Sequence, residues 1–210
     1  MRDFLTYGTY RLLGALTGPL PPTMGYGLGR PVGALVLATS PQLRRILTSN
    51  FSHVLGPDAS EEQVQSLVRR ACANLIKGHY DLFRLSRLSN EEILAMTRVE
   101  GREHLDRALA RGKGVILFSA HFGNVDILIQ VPLAFGVPLS TPVEHIQPER
   151  LFQYTLRLRT SHGLRMYPTG GPMMGLYRAL KRGEVIGLAG DRGIDVSTRK
   201  VEFFGEPASL

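Results

Sequence analysis

The sequence predicts an α/β protein in which a helical N-terminal part packs on a mixed, largely parallel sheet flanked by helices. Three observations carry that expectation. Capped amphipathic segments run from Ser40 to about residue 96 with no strand-like stretch among them. From about Arg98 onward, helical and β-rich apolar segments alternate. One unit of that alternation also recurs. Arg107-Ala108-Leu109-Ala110-Arg111-Gly112 leads into Val115-Ile116-Leu117 and ends at His121, while Arg178-Ala179-Leu180-Lys181-Arg182-Gly183 leads into Val185-Ile186-Gly187-Leu188 and ends at Asp191-Arg192-Gly193. Each copy reads as a helix closed by glycine, a buried strand, and charged residues at the strand's C-terminal end. Right-handed crossovers would lay strands 115–119 and 185–189 parallel in one sheet, with His121 and Asp191 on the same edge.

The elements follow in order. From Leu12 to Gly29 there is no charge, yet Pro19, Pro21 and Pro22 interrupt the stretch. A spanning helix needs about 20 continuous apolar residues, and no small-residue cleavage site follows a charged start. Phe4, Tyr7, Tyr10, Leu12 and Leu13 beside Arg2 and Arg11 suit an element lying in a membrane interface, the plainer alternative being a packed helix and a loop. Ser40-Pro41 opens a helix whose apolar face is Leu43, Ile46, Leu47, Phe51, Val54 and Leu55, closed by Gly56. Ser60-Glu61-Glu62-Gln63 is a capping box for the next helix, carrying Val64, Leu67, Val68, Ala71, Leu75 and Ile76, and Ser89 with Glu92 starts a third. Val201-Glu202-Phe203-Phe204 reads as a strand and Gly205-Glu206-Pro207 as a turn, an unfinished sheet edge that leads us to expect further C-terminal elements absent from this sequence. We therefore expect one domain over 1–210, made of an interfacial segment (1–39), a helical part (40–97) and an α/β catalytic part (98–210).

Composition narrows the function. Hydrophobic residues make up 43% and charged residues 20%, which excludes a disordered chain. The single cysteine, Cys72, excludes an intrachain disulfide and lies in a helical apolar stripe, where it packs. A net charge of +7 favours an anionic partner: anionic lipid, a phosphorylated substrate or nucleic acid. Aromatic residues do not interleave with the basic runs and no nucleic-acid motif is present, so no nucleic-acid partner is expected.

The chemistry gathers at His121-Phe122-Gly123-Asn124-Val125-Asp126. The strand before it delivers a histidine at the sheet edge where ligands bind in open α/β folds, and a Gly-Asn turn then leads to an acid. Histidine with a carboxylate is the minimal kit for a general base held in one tautomer. Backbone N–H groups around Gly123 and Asn124, if they open a helix, would be donors for an oxyanion. Arg157 and Arg159 lie in a Leu-Arg-Leu-Arg segment; Arg159 is the choice for binding a phosphate, against solvated arginines on a helix face. His53, His79, His104, His145 and His162 fall in no ligand spacing, and Glu144 and Glu149 flank a proline-containing loop as weak acceptor-site candidates. A metal-dependent hydrolase built on His121, Asp126 and Asp191 would lack a repeated His or Asp cluster. Ser119 has no Gly-x-Ser-x-Gly elbow. A non-catalytic membrane scaffold remains the alternative of another class.

Val99-Glu100-Gly101, Gly112-Lys113-Gly114-Val115-Ile116-Leu117 and His121-Phe122-Gly123-Asn124 resemble the lipid A late acyltransferase family, which includes bacterial phosphatidylinositol-mannoside acyltransferases. Gly190-Asp191-Arg192 followed by Val201, Phe203-Phe204-Gly205 and Pro207-Ala208 resembles its second signature. The resemblance implies a glycerolipid-acyltransferase-like fold and transfer of a fatty acyl chain from acyl-CoA or acyl-carrier protein to a hydroxyl of a lipid or glycolipid. No cofactor is implied, and the enzyme would lie on the cytoplasmic face of the bacterial plasma membrane. It further implies that His121 is the base and Asp126 its partner, where the family often has tryptophan and glutamate at the positions of Val125 and Asp126. Gly123, Asn124, Arg159, Asp191 and Arg192 are then the expected substrate-binding residues, with glutamine frequent at the position of Arg192.

Overall fold

A computed structural model describes residues 2–169, 174–191 and 199–209. The N-terminal layer is helical: α1 (Arg2–Thr17), α2 (Pro22–Gly27), α3 (Gly29–Thr39), α4 (Pro41–Leu55), α5 (Glu61–Arg84), a 3-10 turn (Leu85–Arg87) and α6 (Asn90–Ala95). The α/β part follows with α7 (Arg102–Leu109), β1 (Val115–Ser119), α8 (Val125–Leu128), α9 (Val131–Ala134), β2 (Leu139–Val143), α10 (Glu149–Arg159), β3 (Arg165–Pro168), α11 (Met174–Lys181), β4 (Val185–Ala189), β5 (Lys200–Phe203) and β6 (Glu206–Ser209).

Local chemistry sets these boundaries. Ser60 and Gln63 satisfy each other's backbone N–H groups at the start of α5, and Ser89 and Glu92 do the same for α6. Helix α5 is the spine of the N-terminal layer, with α1, α2, α3, α4, α8 and α10 packed on it. The contact with α3 is closest. A Cβ on Gly33 would stand 3.1 Å from the Ala73 nitrogen, so glycine lets the two backbones meet. Val64, Val68 and Cys72 bury themselves there with Leu37, and burial pushes the Cys72 thiol pKa up, away from reactivity. Helix α4 buries less than its pattern suggests: Leu43, Leu47 and Phe51 join this cluster, whereas Ile46, Val54 and Leu55 stay exposed.

Helix α1 is turned against the usual pattern. Its inward face carries Tyr10, Gly14 and Gly18, set against His79 and Phe83 of α5, while Leu5, Leu12 and Leu16 are 60%, 59% and 62% exposed. A surface helix of a soluble domain ordinarily turns such residues inward. Phe4 and Leu13 extend the outward stripe, and Tyr7 leans edge-on against Tyr154 of α10. Among the described residues no helix is long and apolar enough to cross a membrane.

The four strands β1–β4 form one sheet in the order β1-β4-β2-β3, every pair parallel. Among the described residues antiparallel pairing is confined to a separate hairpin, β5–β6. β4 therefore inserts between β1 and β2, so the outermost strand and the last strand of the sheet are neighbours. Val115 and Leu117 of β1 pack on a core of Val137, Leu139, Leu164 and Val185, below α7. Ile186, on the opposite face, is buried on the side where α11 contributes Leu176 and Ala179. The matching face of β1 is bare: Ile116 is exposed and Phe118 is 74% exposed.

Candidate active site

Strands β1 and β4 run in register, with Val115 beside Val185 and Ser119 beside Ala189. The Gly190 N–H donates to the Ser119 carbonyl at 2.9 Å and carries the ladder one step past the strand ends. The same offset of 70 residues brings His121 to Asp191. The Asp191 carboxylate accepts two hydrogen bonds from that one residue, from the backbone N–H to Oδ2 at 2.8 Å and from ring Nδ1 to Oδ1 at 2.9 Å. Burial works to raise the Asp191 pKa, but these bonds outweigh it and hold the carboxyl below its ordinary value. An ionised carboxylate only accepts, so the neutral ring must carry its proton on Nδ1. Nε2 then presents its lone pair outward, and among the described residues nothing bonds to it. The His121 side chain is 47% exposed.

Beyond His121 the chain turns sharply. Gly123 has φ +67°, a left-handed conformation that glycine adopts without strain, and Asn124 then caps α8, its Oδ1 accepting from the Ile127 N–H at 3.3 Å. Two buried brackets hold this turn from beneath. Asn124 Nδ2 donates to Asp81 Oδ2 of α5 at 2.6 Å, and Tyr26 of α2 donates its hydroxyl to Asp81 Oδ1 at 2.8 Å. Asp126 accepts from Arg159 of α10, Nε to Oδ1 at 2.7 Å and Nη2 to Oδ2 at 3.4 Å. The Arg159 carbonyl in turn accepts from the fully buried Gln130 at 3.1 Å.

The sequence-predicted residues are thus brought together, but in a different pairing. The side-chain partner of His121 is Asp191, where Asp126 was expected. Asp126 lies in the first turn of α8, on the side facing α10, and there a half-buried arginine needs a carboxylate, since a charge left uncompensated in such a place is destabilising. Arg159, expected to bind phosphate, is engaged by the same ion pair, while Arg157 on the same helix stays exposed. Gly123 and Asn124 stand at the turn as expected. Arg192 lies outside the described residues. Asp81 had drawn no attention in the sequence, since a single acid on an amphipathic helix reads as solvated; in the structure it is 5% exposed. Burial raises its pKa against the opposing pull of the Tyr26 hydroxyl, Arg84 and Asn124. The Tyr26 hydroxyl is itself pushed up to about 12 by burial and by its bond to Asp81, so it remains a donor.

Apolar side chains surround the exposed histidine. Phe122 projects into solvent, and the Phe118 ring lies over Gly190, where a Cβ would collide with it. Glycine at 190 therefore leaves room for the Phe118 ring against the backbone just before Asp191. An open cleft of about 400 Å³ elsewhere, lined by Asp3, Phe4 and the Gln147–Arg150 segment, includes neither His121 nor Asp191. Among the described residues no group of three or more His, Cys, Asp and Glu side chains is arranged to hold a metal ion.

Comparison with known proteins shows the family. Residues 3–210 match the family model described as bacterial lipid A biosynthesis acyltransferase. The chain is also 30% identical over 175 residues to a phosphatidylinositol mannoside acyltransferase of Mycobacterium tuberculosis, covering 78% of this chain and 54% of the relative. Against the protein of that name from Mycolicibacterium smegmatis it is 30% identical over 174 residues, 80% of this chain and 55% of the relative. The chain belongs to the lipid A biosynthesis acyltransferase family, and it spans just over half the length of these curated relatives.

Proposed function

We propose that this chain carries the base of an O-acyltransferase that moves a fatty acyl group from a thioester to a hydroxyl of a membrane lipid or glycolipid. The observation that supports this most directly is the His121–Asp191 pair at the sheet edge, with Nε2 unbonded among the described residues. A hydroxyl is a weak nucleophile at neutral pH, so a base at the attacking oxygen contributes about 10²–10⁴-fold. In the proposed step Nε2 takes the hydroxyl proton as the oxygen forms its bond to the thioester carbonyl carbon. The tetrahedral intermediate expels the thiolate, which recovers the proton from the imidazolium, and Asp191 stays ionised throughout. Backbone N–H groups of Gly123 and Asn124 are the proposed oxyanion donors. Asp126, through Arg159, positions the turn and does not touch the proton. The donor is acyl-CoA or acyl-carrier protein, consumed as substrate, and no cofactor enters these steps.

Two arguments extend the reading to partners. The relatives' name favours a mannosylated phosphoinositide as acceptor, with a lipid A precursor or lysophospholipid as alternatives. The outward stripe of α1 together with net charge +7 supports peripheral binding to an anionic leaflet on the cytoplasmic face of the membrane.

The test is acyl transfer to lipid acceptors in vesicles, with products read by mass spectrometry. The protein should transfer the acyl chain and His121→Ala should lose transfer while keeping its fold. Transfer undiminished in His121→Ala, or thioester hydrolysis abolished by a chelator, overturns the proposal. Sedimentation with anionic vesicles should weaken as salt rises, because surface attraction is screened over about 8 Å at physiological ionic strength; no binding at low salt removes the membrane part alone.

A further inference from the structure

We propose that Asp81 is a positioning residue for catalysis: through Tyr26–Asp81–Asn124 the helical layer sets the turn that carries His121. This rests on His121 being the base, and it adds a residue outside the His-x4-Asp segment and far from it in sequence. Asp81 is too deeply buried to touch a substrate, so any effect it has on chemistry must pass through the groups it holds.

The hydrogen-bond inventory makes the role specific. A carboxylate at position 81 only accepts, so the Asn124 amide must turn its NH2 toward it. That choice forces Oδ1 toward the opening of α8, where it takes the Ile127 N–H. Asp81 therefore decides which way Asn124 faces, and so whether the cap of α8 and the turn after His121 hold together. Tyr26 occupies the other carboxylate oxygen. Burying an acid costs stability, and an apolar residue on α5 would pack here without that cost. The acid is useful because two donors, one from α2 and one from the turn, meet between its oxygens.

Amide chemistry supplies the test. In Asp81→Asn the new side chain offers one oxygen and one NH2, so it keeps Asn124 only by turning its oxygen there and making Tyr26 accept from its NH2; otherwise the Asn124 bond is lost, and in both cases the charge that ties the two donors together is gone. In Asn124→Asp two carboxylates face each other. The double variant Asp81→Asn/Asn124→Asp restores every bond and reverses only the one between 81 and 124: Asn at 81 accepts from Tyr26 and donates to Asp at 124, which still caps Ile127. We expect Asp81→Asn to lower kcat by about 10–100-fold, the scale of a misplacement near 1 Å, with little change in KM. The His121 ring resonances should shift as well. The double variant should recover most of the kcat and the wild-type ring signals, and Tyr26→Phe should show a smaller loss of the same kind.

Unchanged kcat and ring signals in a folded Asp81→Asn overturn the proposal, as does a folded double variant as poor as the single one. If Asp81→Asn does not fold, the double variant and Tyr26→Phe decide by the same readings. Should the wild-type protein transfer no acyl group, the acyltransferase reading fails, while the His121 ring signals across the wild type and its variants still test whether Asp81 sets the turn.

Discussion

The two carboxylates expected beside His121, Asp191 and Asp126, are held by different means. Asp191 ends a strand, is partly exposed, and receives both its bonds from one residue on the neighbouring strand. Asp126 begins a short helix, is more buried, and faces a guanidinium on another helix. Sheet register places the first, because any residue two past Ser119 must meet the residue two past Ala189. Charge compensation places the second. The acid close in sequence therefore secures the scaffold, and the acid brought in from beyond a distant strand meets the His121 ring.

The largest effect that sharpens this contrast should come from Asp191→Asn. An amide in that place can donate to Nδ1 and favour the wrong tautomer, so kcat should fall by roughly 10³–10⁴-fold. Thermal stability near neutral pH should change little, because the pair is exposed. A loss of kcat under tenfold would break the comparison. Asp126→Asn should show the reverse balance: about 1–3 kcal/mol of stability lost in denaturant unfolding, since Arg159 keeps its partial burial without a carboxylate, and activity lowered only about tenfold. If Asp126→Asn proves the more damaging to kcat at unchanged stability, the roles assigned to the two acids are inverted. The smallest effect concerns pH. Asp191 has a depressed pKa in the folded protein, so its stabilising share is complete above the ordinary carboxylate range and fades as pH falls through the folded value. The stability gap between wild type and Asp191→Asn should therefore narrow toward acid pH; a gap that widens there contradicts the bond geometry.

Much of this was legible in the sequence, for identifiable reasons. Strands at 115–119 and 185–189, their parallel arrangement and their shared edge all followed from glycine-closed helices leading into short β-rich runs, and the structure has them. The capping boxes at Ser60 and Ser89 are local chemistry and form as read. The pairing of the acids was less accessible, although the signal existed: superposing Val115-Ile116 on Val185-Ile186 sets His121 against Asp191. What favoured Asp126 was its closeness in the chain and the family pattern, neither of which registers that Arg159 needs a partner. The outward apolar face of α1 was read in part: Phe4, Leu12 and Leu13 are exposed as an interfacial element requires, whereas Tyr10, counted among them, turns inward onto His79 and Phe83, where Gly14 takes the close contact. Asp81 left no trace, because burial of a single acid depends on α2 and α8 arriving from elsewhere.

The position of β1 has a consequence for how the site is lost. Among the described residues β1 is hydrogen-bonded to β4 alone, and its outer face is bare. Outermost strands open at lower free energy than the strands inside a sheet, without the rest of the domain unfolding. Each such opening releases His121 from Asp191 while α5 and its layer remain intact. Amide hydrogen exchange on this chain should then find Ile116–Ser119 exchanging ahead of Val185–Leu188, with the His121–Asp191 contact opening at the rate of β1 and not of the helical layer.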